Sequence, residues 1–163
     1  LYQGNSLYPT NWDLSQNEGN NMSYLKIWIH VVWSTKNRQP LITGKIKKPL
    51  INHILENAHS KGIHIDSING MAEHLHLLIS LPSSQTISKI VQLIKGESSN
   101  WINKNKMTAQ NFQWQENYFA VSVSESIVQK IRDYIKNQES HHQRLSYSVE
   151  YNEFISKYNF DKG

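Results

Sequence analysis

The sequence predicts an α+β fold, namely a ferredoxin-like β-α-β-β-α-β sandwich with an antiparallel sheet and an additional C-terminal helix. Strand-like apolar runs alternate with stretches of helical apolar spacing along the chain. Asn69-Gly70 separates two of the strand-like runs, as the turn of a β-hairpin does. Two β-α-β-like halves around a central hairpin form this sandwich, in which helices cover one face of the sheet. We therefore expect the chemistry on the open face, or under a helix laid across it.

The first half of the chain is predicted to form a strand, a helix and a second strand. Residues 24–33 are rich in β-branched and aromatic side chains and precede the polar run 34–39, which is typical of a strand followed by a loop. Pro49 is predicted to open the first helix, because proline favours the first helical position and apolar residues follow at helical spacing. Gly62 is expected to end this helix. Residues 63–68 then form the second strand.

The second half is predicted to add two strands and two helices. Residues 71–80 form the third strand, which Pro82 ends. Residues 86–104 carry the clearest apolar stripe and predict the second helix. Residues 119–123 are predicted to form the fourth strand. Ser122 with Glu125 three positions later is a capping-box pattern, so we expect the last helix to begin there and to continue to about His141.

The chain is predicted to contain one domain, residues 22–142, and two flanking segments. Residues 1–21 are polar, lack Lys and Arg and show no periodicity, and Met22 resembles a natural start. We therefore interpret residues 1–21 as a flexible or artificially added extension. Residues 143–163 form a C-terminal tail with scattered aromatic side chains.

The composition limits the chemistry and the partners of the protein. The chain has no cysteine, which excludes disulfides, thiol catalysis and zinc–thiolate sites. The longest apolar run, residues 27–33, is too short to cross a bilayer, and we expect a soluble, cytoplasmic protein. The formal charge is +4 and becomes +6 without the two acidic residues of the first segment. This excess of positive charge favours a polyanionic partner.

The most informative motif is the pair His74 and His76 in the predicted third strand. Successive side chains of a strand alternate between faces, so both imidazoles point to one face and Leu75 points to the other. Two histidines held by local hydrogen bonds are one interpretation. The other is half of a metal site, because imidazole is a common metal ligand. A catalytic metal would require a third ligand from elsewhere in the chain.

The predicted last helix carries two residues that could complete such a site. Tyr134 and Gln138 lie four positions apart and therefore share a helix face, at the border of the apolar stripe. A half-buried tyrosine and a solvated glutamine are the structural alternatives. Tyr134 is preferred to the other tyrosines because an amide side chain follows it one helical turn later.

Taken together, these motifs resemble the IS200/IS605 single-strand DNA transposases, the small single-tyrosine members of the histidine–hydrophobic–histidine endonuclease superfamily. The resemblance covers residues 22–142. Four segments carry it in the same order, namely residues 28–38, 74–82, 88–96 and 134–138. The order and spacing together are specific, whereas each segment alone is not.

The resemblance implies a role for each candidate residue. His74, His76 and Gln138 would bind Mg²⁺ or Mn²⁺, and Tyr134 would be the nucleophile. Attack of tyrosine on single-stranded DNA would give a 5′-phosphotyrosine and a free 3′-hydroxyl. The substrate would be the hairpin-containing ends of an insertion sequence. We also expect a homodimer, with the tyrosine acting in its own subunit or in the partner.

Six cations are candidates for DNA contact, although each alone is more often a solvated side chain. They are Lys36, Arg38, Lys89, Lys95, Arg132 and Lys136. Two other functions stay open. One is a related nickase, such as a domesticated enzyme that processes palindromic repeats or a replication initiator. The other is a ferredoxin-like nucleic-acid-binding module without catalysis.

Overall fold

A four-stranded antiparallel sheet lies at the centre of the computed structural model, which describes residues 25–138 and residue 152. Its strands are β1 (Trp28–Ser34), β2 (His64–Gly70), β3 (His74–Ser80) and β4 (Phe119–Val123), in the spatial order β2-β3-β1-β4. The helices are α1 (Gly44–Ser60), α2 (Ile87–Lys104) and α3 (Val128–Lys136). This element order confirms the ferredoxin-like α+β fold with an additional helix. The predicted segments 1–21 and 143–163 lie outside the described residues, apart from residue 152.

The two faces of the sheet carry different helices. Leu75 and Leu77 of β3 belong to the main core, together with apolar side chains of α1 and α2. Leu78 points the other way and packs in a smaller cluster with Val128 and Ile135. Because side chains alternate along a strand, His74 and His76 lie on the same face as Leu78, under α3. The prediction of a helix laid across the face with the chemistry is consistent with this arrangement.

The first helix does not begin where proline chemistry predicted. α1 starts at Gly44, with Thr43 as its N-cap residue, and Pro49 lies inside the helix. The backbone N–H groups of Ile46 and Lys47 donate to the Thr43 carbonyl, and Ile46 is buried in the main core. Burial of Ile46 favours the additional turn, although Pro49 lacks one helical hydrogen bond. The prediction that Pro49 opens the helix is therefore wrong.

The hairpin between β2 and β3 is present, but Asn69-Gly70 does not form its turn. Both residues belong to β2, and Gly70 pairs with Leu75. A Cβ atom on Gly70 would lie 2.1 Å from the His74 carbonyl oxygen and 2.8 Å from the Leu75 Cα. Glycine is therefore required at this position for close backbone approach, and residues 71–73 make the connection.

The last helix begins later than the capping-box pattern predicted. Ser122 lies within β4, and a 3-10 turn (Glu125–Ile127) precedes α3. The Glu125 carboxylate accepts hydrogen bonds from Lys26 Nζ and Trp28 Nε1, both at 2.7 Å. These contacts across the sheet take the place of the expected cap. α3 ends at Lys136, and Asn137 forms a turn before the helical residue Gln138. The predicted continuation to about His141 falls on residues 139–141, outside the described residues.

The boundaries of α2 and β4 agree closely with the prediction. α2 begins after Thr86, whose side chain accepts a hydrogen bond from the Lys89 backbone N–H, and β4 spans residues 119–123 as expected. The first and third strands begin later than predicted, since β1 starts at Trp28 and β3 at His74. Within residues 25–138, none of the helices is both long and apolar enough to span a membrane.

Candidate active site

His74 and His76 lie side by side on β3, under α3. Their side chains are buried, at 0% and 1% exposure, and their ring centroids are 5.0 Å apart. Leu75 between them points into the main core. The strand therefore places both imidazoles on one face, as the spacing of the two residues predicted.

Glu73 orients the first histidine. Its Oε1 atom lies 3.2 Å from Nδ1 of His74. In the tautomer with its proton on Nδ1, the ring donates to this carboxylate and carries its lone pair on Nε2. Metal-binding histidines are commonly held in this way by a carboxylate behind the ring.

His30 of β1 supports the second histidine, and sequence reasoning missed it. Its Nε2 lies 3.1 Å from Nδ1 of His76, and the two ring centroids are 5.3 Å apart. Burial lowers the pKa of His30 to about 4, so this imidazole is neutral near pH 7. A neutral ring can accept the Nδ1 proton of His76 and leave Nε2 of His76 as the electron-pair donor. The sequence feature that could have identified His30 is its position in an otherwise apolar strand.

The ring of Tyr134 stands against this histidine group. It lies edge-on to His76, with centroids 5.5 Å apart, and edge-on to His30 at 6.0 Å. Tyr134 is half-buried on α3. The predicted nucleophile therefore contacts one of the predicted ligands, His76, within one chain.

Gln138 follows α3 and is completely buried. Neither Oε1 nor Nε2 of its amide has a hydrogen-bond partner among the residues that the structure describes. Two residues earlier, the Lys136 carbonyl accepts a hydrogen bond from Nδ2 of Asn69, which pairs with His76 in the sheet. Burial of an unsatisfied amide costs about 1–3 kcal/mol. An amide in this position therefore fits a residue that binds a cation.

The described residues also limit what else could complete a metal site. No three His, Cys, Asp or Glu side chains within residues 25–138 are arranged so that they could hold a metal ion. Among these residues, the buried Gln138 amide oxygen is the candidate for a third ligand beside His74 and His76. Two imidazole nitrogens and one amide oxygen form a neutral set that suits Mn²⁺ and tolerates Mg²⁺.

Two of the six predicted DNA-contacting cations connect separate elements of the fold. Lys95 Nζ donates to the backbone carbonyls of residues 115, 116 and 117, and burial lowers the pKa of Lys95. Arg132 donates to Asp66 through Nε at 2.9 Å and Nη2 at 2.7 Å, and lies 5.7 Å from the ring centroid of Trp28. Lys95 therefore holds the segment before β4, and Arg132 holds α3 on β2.

The other four cations lie at the surface. Lys36 and Arg38 lie in a 3-10 turn after β1, and Lys36 Nζ donates to Oε1 of Gln113 at 2.8 Å. Lys89 Nζ lies 3.4 Å from Oε1 of Gln92 on α2. Lys136 is exposed at the end of α3. A role of all six in DNA contact stays a prediction.

An antiparallel ferredoxin-like sheet with a His-Leu-His strand beneath a tyrosine-bearing helix defines the class of single-tyrosine histidine–hydrophobic–histidine proteins. The sequence model of one family in this class, described as IS200-like transposase, matches residues 23–138. The chain belongs to the IS200-like transposase family, as the resemblance of its motifs predicted.

Individual relatives agree with this family. The chain is 28% identical over 115 residues to the ISDra2 transposase TnpA of Deinococcus radiodurans, covering 67% of this chain and 81% of that protein. It is 25% identical over 114 residues to the transposase for insertion sequence element IS200 of Salmonella typhimurium, covering 67% and 74%.

Two solved structures share the fold. A structure from Deinococcus radiodurans R1, described as a transposase, has a TM-score of 0.59 and 24% identity, and covers 75% of this chain and 97% of that one. A REP-associated tyrosine transposase bound to a REP hairpin has a TM-score of 0.58 and 17% identity, with coverages of 77% and 74%. At these identities the likeness shows the fold alone.

Proposed function

We propose that this transposase cuts and rejoins single-stranded DNA through Tyr134, with Mg²⁺ or Mn²⁺ held by His74, His76 and Gln138. The observation that carries the proposal is the contact between Tyr134 and His76, whose ring centroids are 5.5 Å apart. A second observation supports the metal: the amide of Gln138, at the end of the tyrosine helix, is buried and has no hydrogen-bond partner among the described residues.

The proposed cleavage step transfers the phosphoryl group from the 3′ oxygen of the DNA to Tyr134. The Oη atom of Tyr134 attacks the phosphorus, so that an Oη–P bond forms and the P–O3′ bond breaks. The phenol proton passes to solvent, and the leaving 3′ oxygen takes a proton from solvent. The 5′-phosphotyrosine keeps the energy of the phosphodiester. The 3′-hydroxyl of another strand can therefore reverse the step and rejoin the DNA.

The surrounding residues prepare this step. When bound, the metal would polarise the scissile phosphate and stabilise the leaving oxygen. Glu73 and His30 hold the two imidazoles with Nε2 available. Because the three ligands carry no charge, the positive charge of the metal is left for the phosphate. Tyrosine supplies the nucleophile, so an activated water is not required.

We propose hairpin-containing single strands at insertion-sequence ends as the substrate. The positive charge of the chain and the exposed cations Lys36, Arg38 and Lys89 support a sequence-independent grip on the phosphates. The structural neighbour that is bound to a REP hairpin supports recognition of a folded single strand. We also propose that the protein forms a homodimer.

A covalent adduct tests the proposal directly. Labelled single-stranded DNA from the ends of the element is incubated with the protein and Mn²⁺, and the products are separated under denaturing conditions. We expect a metal-dependent protein–DNA adduct, which is lost in Tyr134→Phe, His74→Ala and His76→Ala. Tyr118→Phe serves as the control and should keep the adduct. An adduct that persists in Tyr134→Phe would rule out this nucleophile.

The same hairpin-bound neighbour favours a second candidate, a nickase that processes palindromic repeats. Excision and reinsertion assays separate the two candidates, because a transposase joins new ends whereas a nickase releases cut strands. Tight binding of single strands without any adduct would support the third candidate, a binding module without catalysis.

A further inference from the structure

A groove with a volume of about 640 Å³ lies between α2 and residues 113–118. Helix α2 packs against the sheet face opposite α3, so this groove is separate from the site around Tyr134. Its α2 wall consists of residues that lie at helical spacing, namely Ser88, Val91, Gln92, Lys95, Gly96 and Ser99. No role is assigned to the groove by the proposed cleavage reaction.

The groove is lined mainly by neutral side chains that both donate and accept hydrogen bonds. Gln92, Gln113 and Gln115 supply amides. An amide presents a donor beside an acceptor, which matches the edge of a nucleobase. Tyr118 adds an aromatic ring of the kind on which bases stack. This chemistry fits a base better than it fits a phosphate.

The cations of the groove are consistent with this distinction. Lys95 already donates to three backbone carbonyls and is partly desolvated. Its ammonium group therefore binds the segment before β4. Lys36 donates to Gln113 and has further N–H groups available at the rim. A base inside the groove would bind the neutral amides, and the phosphate of the same nucleotide would bind the ammonium group of Lys36.

The groove is connected through backbone pairing to the strand ends at the candidate active site. The Lys36 N–H donates to the Gln113 carbonyl, and the Thr35 N–H donates to the Glu73 carbonyl, each at 2.8 Å. Glu73 is the residue that orients His74, and His74 pairs with Ser34 in the sheet. Lys36 at the rim of the groove therefore lies two residues after Ser34, the β1 residue that pairs with His74.

We propose that this groove holds one unpaired base of the single-stranded DNA substrate. The proposal rests on the proposed function, since it takes single-stranded DNA as the substrate. It adds a base-recognition site that lies away from the metal and the tyrosine. The glutamine amides would distinguish the bases by hydrogen bonding. The ring of Tyr118 would stack on any base and would therefore favour a strand with bases over an abasic strand.

Gly96 allows the groove to be filled without disturbing the core. A Cβ atom at this position would meet nothing within 4 Å. Leucine is a better helix former than glycine, so Gly96→Leu should fold at least as stably as wild type. Gly44→Leu is the matched control, because Gly44 is a helical glycine with the same open space outside the groove.

Fluorescence anisotropy at one salt concentration measures binding to five labelled 12-mers, namely the four homopolymers and an abasic strand of equal charge. We expect wild type and Gly44→Leu to bind the preferred homopolymer about tenfold more tightly than the abasic strand. Gly96→Leu should bind all five strands with nearly equal affinity. A Gly96→Leu protein that keeps the wild-type preference, or a wild type without any preference, would overturn the proposal.

Gln92→Met keeps the length of the side chain and removes the amide. We expect a smaller difference among the four homopolymers and an unchanged advantage over the abasic strand. Differences among the four homopolymers as large as those of wild type would overturn base recognition by this amide. The adduct assay separates this proposal from the proposed function: an adduct without base preference overturns the groove alone, and base preference without an adduct overturns the nuclease alone.

Discussion

The ring of Tyr134 stands at 81° to the ring of His76 in the same chain, with the centroids 5.5 Å apart. Helix α3 is held in this position by the ion pair between Arg132 and Asp66 and by the hydrogen bond from Asn69 to the Lys136 carbonyl. The tyrosine helix and the histidine strand of one chain therefore lie in contact. A dimer is not required to bring Tyr134 to the histidines, although a partner could exchange the helix if both contacts opened.

Replacement of Gln138 separates a metal ligand from a structural residue. In Gln138→Met the buried amide is lost, so the free energy of unfolding of the metal-free protein should rise by about 1 kcal/mol. Affinity for Mn²⁺ should fall at least about tenfold, because an oxygen ligand is removed. Denaturation with a chelator and calorimetric titration with Mn²⁺ measure the two effects. A less stable protein with unchanged Mn²⁺ affinity would contradict the assignment; the exposed Gln129→Met is the control.

His30 should act on the metal through His76. His30→Leu removes the acceptor behind Nδ1 of His76, and we expect Mn²⁺ affinity to fall about 10- to 100-fold. His30→Gln keeps an acceptor near that position and should restore most of the affinity. Nitrogen NMR of the metal-free protein, labelled in its histidines, reports the tautomer of His76. The Nδ1–H form should dominate in wild type and His30→Gln but not in His30→Leu. An unchanged tautomer in His30→Leu would show that His30 only fills space.

Sequence patterns predicted those features that depend on local spacing. The alternation around Leu75 placed both histidines on one face, and the apolar stripe gave the extent of α2. The partners of Lys95 and Arg132 could not be predicted in this way, because each cation contacts backbone or carboxylate groups far away in sequence. The same reason applies to His30, which meets His76 only when β1 and β3 pair. Gly70 shows a different limit, since the Asn-Gly pattern suggested a turn where close approach of two strands required glycine.

Gly70→Ala should displace the backbone of β3 at His74. Its Cβ would lie 2.1 Å from the His74 carbonyl oxygen, so the backbone at His74 must move. We expect a loss of about 2–4 kcal/mol in the free energy of unfolding together with weaker Mn²⁺ binding. Chemical denaturation and Mn²⁺ titration check these effects. Gly44→Ala, where a Cβ meets nothing within 4 Å, should cause neither change; wild-type stability in Gly70→Ala would refute the argument.

The ion pair of Asp66 and Arg132 should make the docking of α3 depend on pH. Burial tends to raise the pKa of Asp66, but hydrogen bonds from Arg132 and Ser67 outweigh it and lower the pKa below the ordinary 3.8. The folded protein then binds fewer protons than the unfolded chain, so this stabilisation is complete above about pH 4 and is lost as pH falls through the folded pKa. Asp66→Asn should cost about 1 kcal/mol at pH 7, because partial exposure of Arg132 screens the pair. Denaturation at pH 7 and pH 3 should show the difference between variant and wild type shrinking at low pH; an equal difference at both would exclude this origin.

Two lysines of the same groove should differ in what they contribute. Lys36 is exposed and has one side-chain acceptor, Gln113, so Lys36→Met should leave the stability nearly unchanged and lower the salt dependence of single-strand binding by about 0.7 in the log–log slope. Lys95 donates to three backbone carbonyls, so Lys95→Met should destabilise the fold by about 1–2 kcal/mol and leave that slope unchanged. Anisotropy titrations at several salt concentrations and chemical denaturation measure the two quantities. If Lys95→Met lowered the slope as Lys36→Met does, while the fold kept its stability, Lys95 would contact phosphate and its carbonyl contacts would be secondary.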